Sequence, residues 1–147
     1  MQTKKYSILI NSPKEHVWKI LWNDDTYRQW TSVFSEGSYA ESDWQEGSRI
    51  RFLTPEGSGM YSVIEKVDTN RFMSFRHDGE IKKGIDEPLN DESRKWSGTT
   101  ENYTLSENEG VTELVVELGA TEPMEPYFDE HFPKALAKVK EIAEGSR

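Results

Sequence analysis

Apolar residues recur at steps of three and four over several turns only toward the C-terminus. Across residues 124–145, Tyr127 or Phe128, Phe132, Leu136, Val139 and Ala143 fall on one stripe with polar positions between them. That is the pattern of an amphipathic helix laid on a core. Pro123 suits a first-turn position, where a missing N–H loses no partner. Glu122, Glu125, Asp129 and Glu130 come early and Lys134, Lys138 and Lys140 late, the order the helix dipole favours. Gly145 is a natural stop. At 1.5 Å per residue such a helix spans roughly 33 Å, enough to cross a small domain. Pro133 predicts a kink or break, because an interior proline removes the bond to the carbonyl of Asp129 and costs about 3 kcal/mol.

Everything before this helix reads mainly as strands. Residues 3–10 alternate, with Tyr6, Ile8 and Ile10 on one side and Lys5, Ser7 and Leu9 on the other. Ser12-Pro13-Lys14-Glu15 predicts a capping box, with Ser12 as N-cap and Pro13 at the first helical position. Val17, Trp18, Ile20 and Leu21 then make a short amphipathic helix ending near Asn23, and Asp24-Asp25 can cap a second through Trp30. Two helices this short plug one end of a sheet rather than cover it. Strand patterns follow at 38–43, 49–54, 60–67, 71–77 (extending toward 83), 96–105 and 111–119, separated by Gly-, Pro-, Asn- and Asp-rich turns. The expected fold class is α+β: a curved antiparallel meander of about six or seven strands, two short helices after strand 1, and the long terminal helix. No repeat or linker divides residues 1–147, so one domain is expected. A sheet that must cover a single helix curls around it, and incomplete contact leaves a pocket.

Parity along the strands assigns some inward faces. In the last strand, Thr112, Leu114, Val116 and Leu118 share the face that should meet the helix, because Glu113 and Glu117 belong in water. In the strand before it, Glu101 shares a side with Tyr103 and Leu105. If those two point inward, Glu101 does too, and a carboxylate there needs a partner or a wet pocket. Arg76 and His77 are the natural partners; a hydrated strand end is the alternative. Which of the pairs Arg49/Arg51 and Ile50/Phe52 faces inward is open at this level, as is the face of Phe72, Met73 and Phe75. Val67 falls out of phase with Met60, Ser62 and Ile64, which hints at a bulge. Residues 84–95 are polar, contain Pro88 and have no period. A connection this long acts either as a lid or as a surface loop.

Composition narrows the classes. A chain of 147 residues buries roughly 68–70 % of its unfolded surface, enough for a core without staples. With no cysteine, disulfides and thiolate chemistry are excluded. No apolar run approaches the ~18 residues of a membrane span, so a cytoplasmic protein is expected. A net charge of −9 argues against nucleic acid as a partner. Residues 96–133 carry nine acidic side chains and no Lys or Arg, a solvated face or a surface for a basic partner. His16, His77 and His131 sit on separate elements without metal-ligand spacing, and no nucleophile elbow, P-loop or dinucleotide fingerprint occurs. No metal and no cofactor are expected. Glu101 with His77 or Arg76 could still form an acid/base pair if burial shifted its pKa.

Several landmarks point to a family. Ile8-Leu9-Ile10 precedes Ser12-Pro13-Lys14-Glu15-His16-Val17-Trp18 and, later, Trp30. Val63 to Asp68 comes before Arg71-Phe72, then Tyr103-x-Leu105 and Gly110-Val111-Thr112-x-Leu114, and finally Phe132 with Leu136-x-x-Val139-Lys140. This series resembles the START-like (SRPBCC, helix-grip) superfamily, nearest the single-domain bacterial branch named after the activator of heat-shock protein 90 ATPase. The resemblance implies a sheet gripping the terminal helix with a deep pocket beneath it. It departs from the family in His131-Phe132-Pro133, where Gly-Trp is usual, and in Thr69-Asn70, where Pro-Pro is common. The expected function is binding of a small hydrophobic or amphipathic molecule or lipid, lined by Trp30, Phe34, Tyr103, Phe128 and Phe132, with Glu101 and Arg76 as polar contacts. The alternatives are a co-chaperone-like protein-interaction module and a cyclase- or hydrolase-like enzyme using Glu101.

Overall fold

The computed structural model describes residues 1–145, and within them one antiparallel sheet holds every strand. The chain runs β1 (Gln2–Ile10), α1 (Lys14–Trp22), α2 (Asp24–Thr31), β2 (Tyr39–Glu41), β3 (Arg49–Leu53), β4 (Gly59–Asp68), β5 (Phe72–Lys82), β6 (Ile85–Asp86), β7 (Thr100–Asn108), β8 (Val111–Ala120) and α3 (Glu125–Gly145). Short 3-10 turns occupy Ser93–Lys95 and Glu122–Met124. The strand order is β1-β8-β7-β5-β4-β3-β2, with the two-residue β6 clipped onto β5. The expected meander is therefore present, and the first strand closes on the last. Tyr6 lies opposite Val116 and Ile8 opposite Leu114, so the inward faces of both strands coincide.

α3 buries Phe132, Ala135, Leu136, Val139 and Ala143. They share one core with Ile10 of β1, with Leu114, Val116 and Leu118 of β8, and with Val17 and Leu21 of α1. The face expected for β8 is the one observed: Thr112 and Leu114 are fully buried, and Glu113 and Glu117 are exposed. α3 passes through Pro133 without a break. Pro133 and Asp129 are both exposed, so the carbonyl that loses its partner faces water. Burying Leu136 and Val139 returns about 1.5–3 kcal/mol each, which outweighs the ~3 kcal/mol of the proline. The helix end is tied down as well, since Lys140 Nζ donates to the Leu9 carbonyl at 3.1 Å and Glu144 accepts the Asn11 N–H at 2.8 Å.

The capping box does not form. Pro13, not Ser12, precedes α1, and no side chain caps it locally. The Lys14 N–H instead donates to Glu107 at 2.9 Å, and the Ser12 carbonyl accepts from Thr112 Oγ1 at 2.7 Å. Ser12 Oγ is left buried without a partner among the described residues. The second helix likewise starts after Asn23 with no side-chain cap, although Asp24 and Asp25 occupy its first turn.

The bulge expected near Val67 lies at Glu65: the ladder runs Ile64↔Phe75, then Lys66↔Ser74. A second irregularity skips Asp78 on β5 between Tyr61↔Gly79 and Ser62↔His77. Bulges bend and twist a sheet, and both fall in the β4–β5 ladder. Residues 84–95 attach to the outer face. Asp86 takes Arg49 and Arg51, each at 2.9 Å, and the Glu87 carbonyl accepts from Tyr61 at 3.0 Å. This fixes the open parity of β3: the arginines face out, Ile50 enters the core, and Phe52 packs against it.

Candidate functional site

The two halves of α3 meet the sheet differently. The C-terminal half packs solidly, while the N-terminal half carries Tyr127, Phe128 and Phe132 over a hollow of about 300 Å³. α2 and the segment after it wall one side with Tyr27, Trp30 and Phe34; β3, β4 and β5 supply Phe52, Met60 and Phe75; β7 supplies Glu101 and Tyr103. The volume is at the lower end of the ~300–1,000 Å³ of small-molecule sites. No residue of 84–95 borders it, so that segment is not a lid over this opening.

Aromatic packing shapes the wall. Trp22 stands edge-on to Tyr103 at 4.9 Å and to Phe75 at 5.4 Å, and Phe34 stands edge-on to Phe132 at 4.8 Å. Trp30 locks α2 to α1 by donating its indole N–H to the Leu21 carbonyl at 3.1 Å. Tyr127 donates to the Phe34 carbonyl at 2.9 Å, which straps the first turn of α3 to the end of α2. Behind the wall, Trp44 holds a left-handed backbone (φ 62°) and packs on Trp22 at 5.7 Å. A non-glycine residue keeps such a conformation only where its surroundings enforce it. The Trp22 N–H is buried with no partner among the described residues.

Among the described residues, one charged side chain borders the hollow. Parity with Tyr103 and Leu105 turns Glu101 inward, where its side chain is 18 % exposed. The Tyr103 hydroxyl donates to its Oε2, and His77 Nε2 lies 3.0 Å from its Oε1. His77 Nδ1 in turn lies 2.8 Å from Ser62 Oγ. Burial, and then the charge of Glu101, push the Tyr27 and Tyr103 phenols well above the ordinary tyrosine range, so both remain protonated. The residue types Ser62, His77 and Glu101 match those of a hydrolytic triad, but the order in space is reversed. Ser62 is 1 % exposed and does not border the hollow, whereas the acid does. A triad needs its nucleophile at the substrate.

Of the residues singled out in the sequence, Trp30, Phe34, Glu101, Tyr103, Phe128 and Phe132 border the hollow. Arg76 does not. Its guanidinium binds Asp78 at 2.8 Å and reaches Glu65 at 3.6 Å, bridging the two bulges, and His77 takes its place beside Glu101. Sequence reading did not pick out Trp22, Tyr27, Phe52 and Phe75. Once His77 is paired with Glu101, two-residue alternation places Phe75 on the same face, and that signal was available. Among the described residues, no cluster of His, Asp and Glu is arranged to hold a metal ion, and no helix is long and apolar enough to cross a membrane.

Comparison with known proteins agrees with this architecture. MLL2253 from Mesorhizobium loti superposes with a TM-score of 0.77 at 14 % identity, over 99 % of each chain. The Aha1 dimer structure from Colwellia psychrerythraea gives 0.73 at 19 % identity, over 98 % of this chain and 97 % of that one. CalU16 from Micromonospora echinospora gives 0.68 at 16 % identity, over 99 % and 76 %. Identities this low establish the shared helix-grip fold alone. No curated protein matches the sequence significantly. The family model described as Activator of Hsp90 ATPase homolog 1-like protein matches residues 11–144, nearly the whole chain. The chain therefore belongs to the AHSA1 family.

Proposed function

We propose that this chain is a binding module that holds a small hydrophobic or amphipathic molecule between the sheet and the N-terminal half of α3. The observation that carries this reading is the hollow of about 300 Å³ bordered mostly by aromatic side chains with one inward carboxylate. Apolar walls with a few placed polar groups are the usual make-up of such sites. In this reading Trp30, Phe34, Tyr103, Phe128 and Phe132 contact the apolar body of the ligand and Glu101 its polar end. Titrating the isotopically labelled protein with small apolar molecules and short-chain lipids tests it. Shift changes should cluster at Trp22, Trp30, Phe34 and Tyr103, and a panel that moves none of them defeats the proposal.

The family description favours a second reading, a protein-interaction module. Its surface would be the acidic stretch 96–133, with Glu113 and Glu117 exposed on β8. A partner held by these charges should be captured at low salt and released as salt rises. Capture that does not respond to salt speaks against it. An enzymatic reading has Glu101 alone as acid or base, and turnover that survives Glu101→Gln excludes this site.

A further inference from the structure

We propose that the hollow is selective for cations: it takes a compact molecule with a quaternary ammonium or amine on an apolar body and rejects carboxylate-headed amphiphiles. This deepens the binding reading above and rests on it.

Among the described residues bordering the hollow, Glu101 carries the only formal charge and none is Lys, Arg or His. The nearest arginine on the same strand region, Arg76, is turned away and neutralised by Asp78 and Glu65. Glu101 is held by donors rather than by a lysine or arginine. One is the Tyr103 phenol, which burial keeps protonated. The other is His77 Nε2. His77 Nδ1 is in turn paired with Ser62 Oγ at 2.8 Å, and among the described residues no lysine or arginine pairs with Glu101, so its carboxylate is the one acidic group on the wall.

Around that charge, eleven of the eighteen bordering residues are aromatic. Aromatic faces attract cations through the ring quadrupole, most strongly where water is excluded. A carboxylate and an aromatic enclosure therefore act in the same direction on a cationic head. An anionic head meets the like charge of Glu101, and no lysine or arginine among the described bordering residues receives it. The net charge of −9 adds a field of the same sign around the whole molecule.

The test uses three probes of nearly equal shape: phenyltrimethylammonium, its uncharged isostere tert-butylbenzene, and the anion 2-methyl-2-phenylpropanoate. Binding to the full chain is read from NMR shifts of the bordering aromatics and from tryptophan fluorescence. The cation should bind at least tenfold more tightly than the isostere, and the anion should produce no shift. Glu101→Gln should shrink the cation's advantage over the isostere to about fivefold or less, the part that the aromatic faces alone supply. An isostere that binds as tightly as the cation, or an anion that binds, overturns the selectivity while leaving the binding module standing. If neither the cation nor the isostere shifts the bordering aromatics, the binding reading itself fails. The wild-type comparison decides between these outcomes even where Glu101→Gln does not fold.

Discussion

Tyr103→Phe isolates the bond that holds the inward carboxylate. The substitution removes one oxygen from a side chain that is 2 % exposed and leaves the ring in place against Trp22 at 4.9 Å and Phe75 at 6.2 Å. No cavity term follows, because the carbon skeleton is unchanged. What is lost is the hydrogen bond to Glu101 Oε2, and bonds to charged groups contribute about 1.5–3 kcal/mol. Two features pull the value toward the lower end. Glu101 keeps His77 at 3.0 Å, and its side chain is 18 % exposed to the hollow, where water can replace the phenol. The expected loss is therefore about 1.5 kcal/mol, or roughly 4 °C in Tm for a domain of this size. Urea titration followed by tryptophan fluorescence measures it. The midpoint should fall with the slope unchanged, since the surface exposed on unfolding is the same. A variant as stable as the parent, or more stable, would refute the claim that Tyr103 holds Glu101 as a charged group.

Other substitutions test other parts of the framework. The Tyr6 hydroxyl, and then Lys4, hold the Asp129 carboxyl below its ordinary value of 3.8. A depressed carboxylate stabilises the fold above its unfolded pKa and loses that contribution as pH falls through the folded value. The urea midpoints of the parent and Asp129→Asn should thus differ by a constant amount at neutral pH and converge below about pH 3.8; a gap that persists in acid contradicts the assignment. Pro133→Ala restores a helix N–H on an exposed face and should raise stability by up to about 3 kcal/mol, measured in the same titration. Gly59→Ala should cost about 4 kcal/mol or prevent folding, because a Cβ there would lie 1.7 Å from the Phe52 carbonyl oxygen; calorimetry would show it. Leu136→Ala, at a side chain 1 % exposed, should cost about 2–5 kcal/mol.

What could be read in advance was what depends on local period. The α3 stripe, the inward set of β8 and the inward turn of Glu101 follow from steps of three, four or two, and parity held across each element. The errors lie where a distant residue took over a local role. Ser12 did not become a cap because its carbonyl was taken by Thr112 and the Lys14 N–H by Glu107, both from the far hairpin. The facing of Arg49 and Arg51, left open by the sequence, goes with Asp86, more than thirty residues away. Of the two partners offered for Glu101, Arg76 and His77, only His77 reaches it. Because Phe75 and His77 face inward, alternation turns Arg76 to the outer face, where Asp78 and Glu65 receive its guanidinium. Trp44 holds a left-handed backbone and packs on Trp22, Tyr27 and Phe75, contacts between segments that local period does not encode.

The pairing of β1 with β8 also bears on how the chain is made. Among the described residues β1 pairs only with β8, so its ladder is incomplete until residue 120 has been made. Until then Tyr6, Ile8 and Ile10 remain an unmatched edge. Such closure over most of the polypeptide is an entropic burden that slows assembly, toward the millisecond-to-second range of non-local β topologies. Newly made chains are therefore most vulnerable to sticking to one another until β8 has been made, and a holdase or low temperature during expression should help most in that interval.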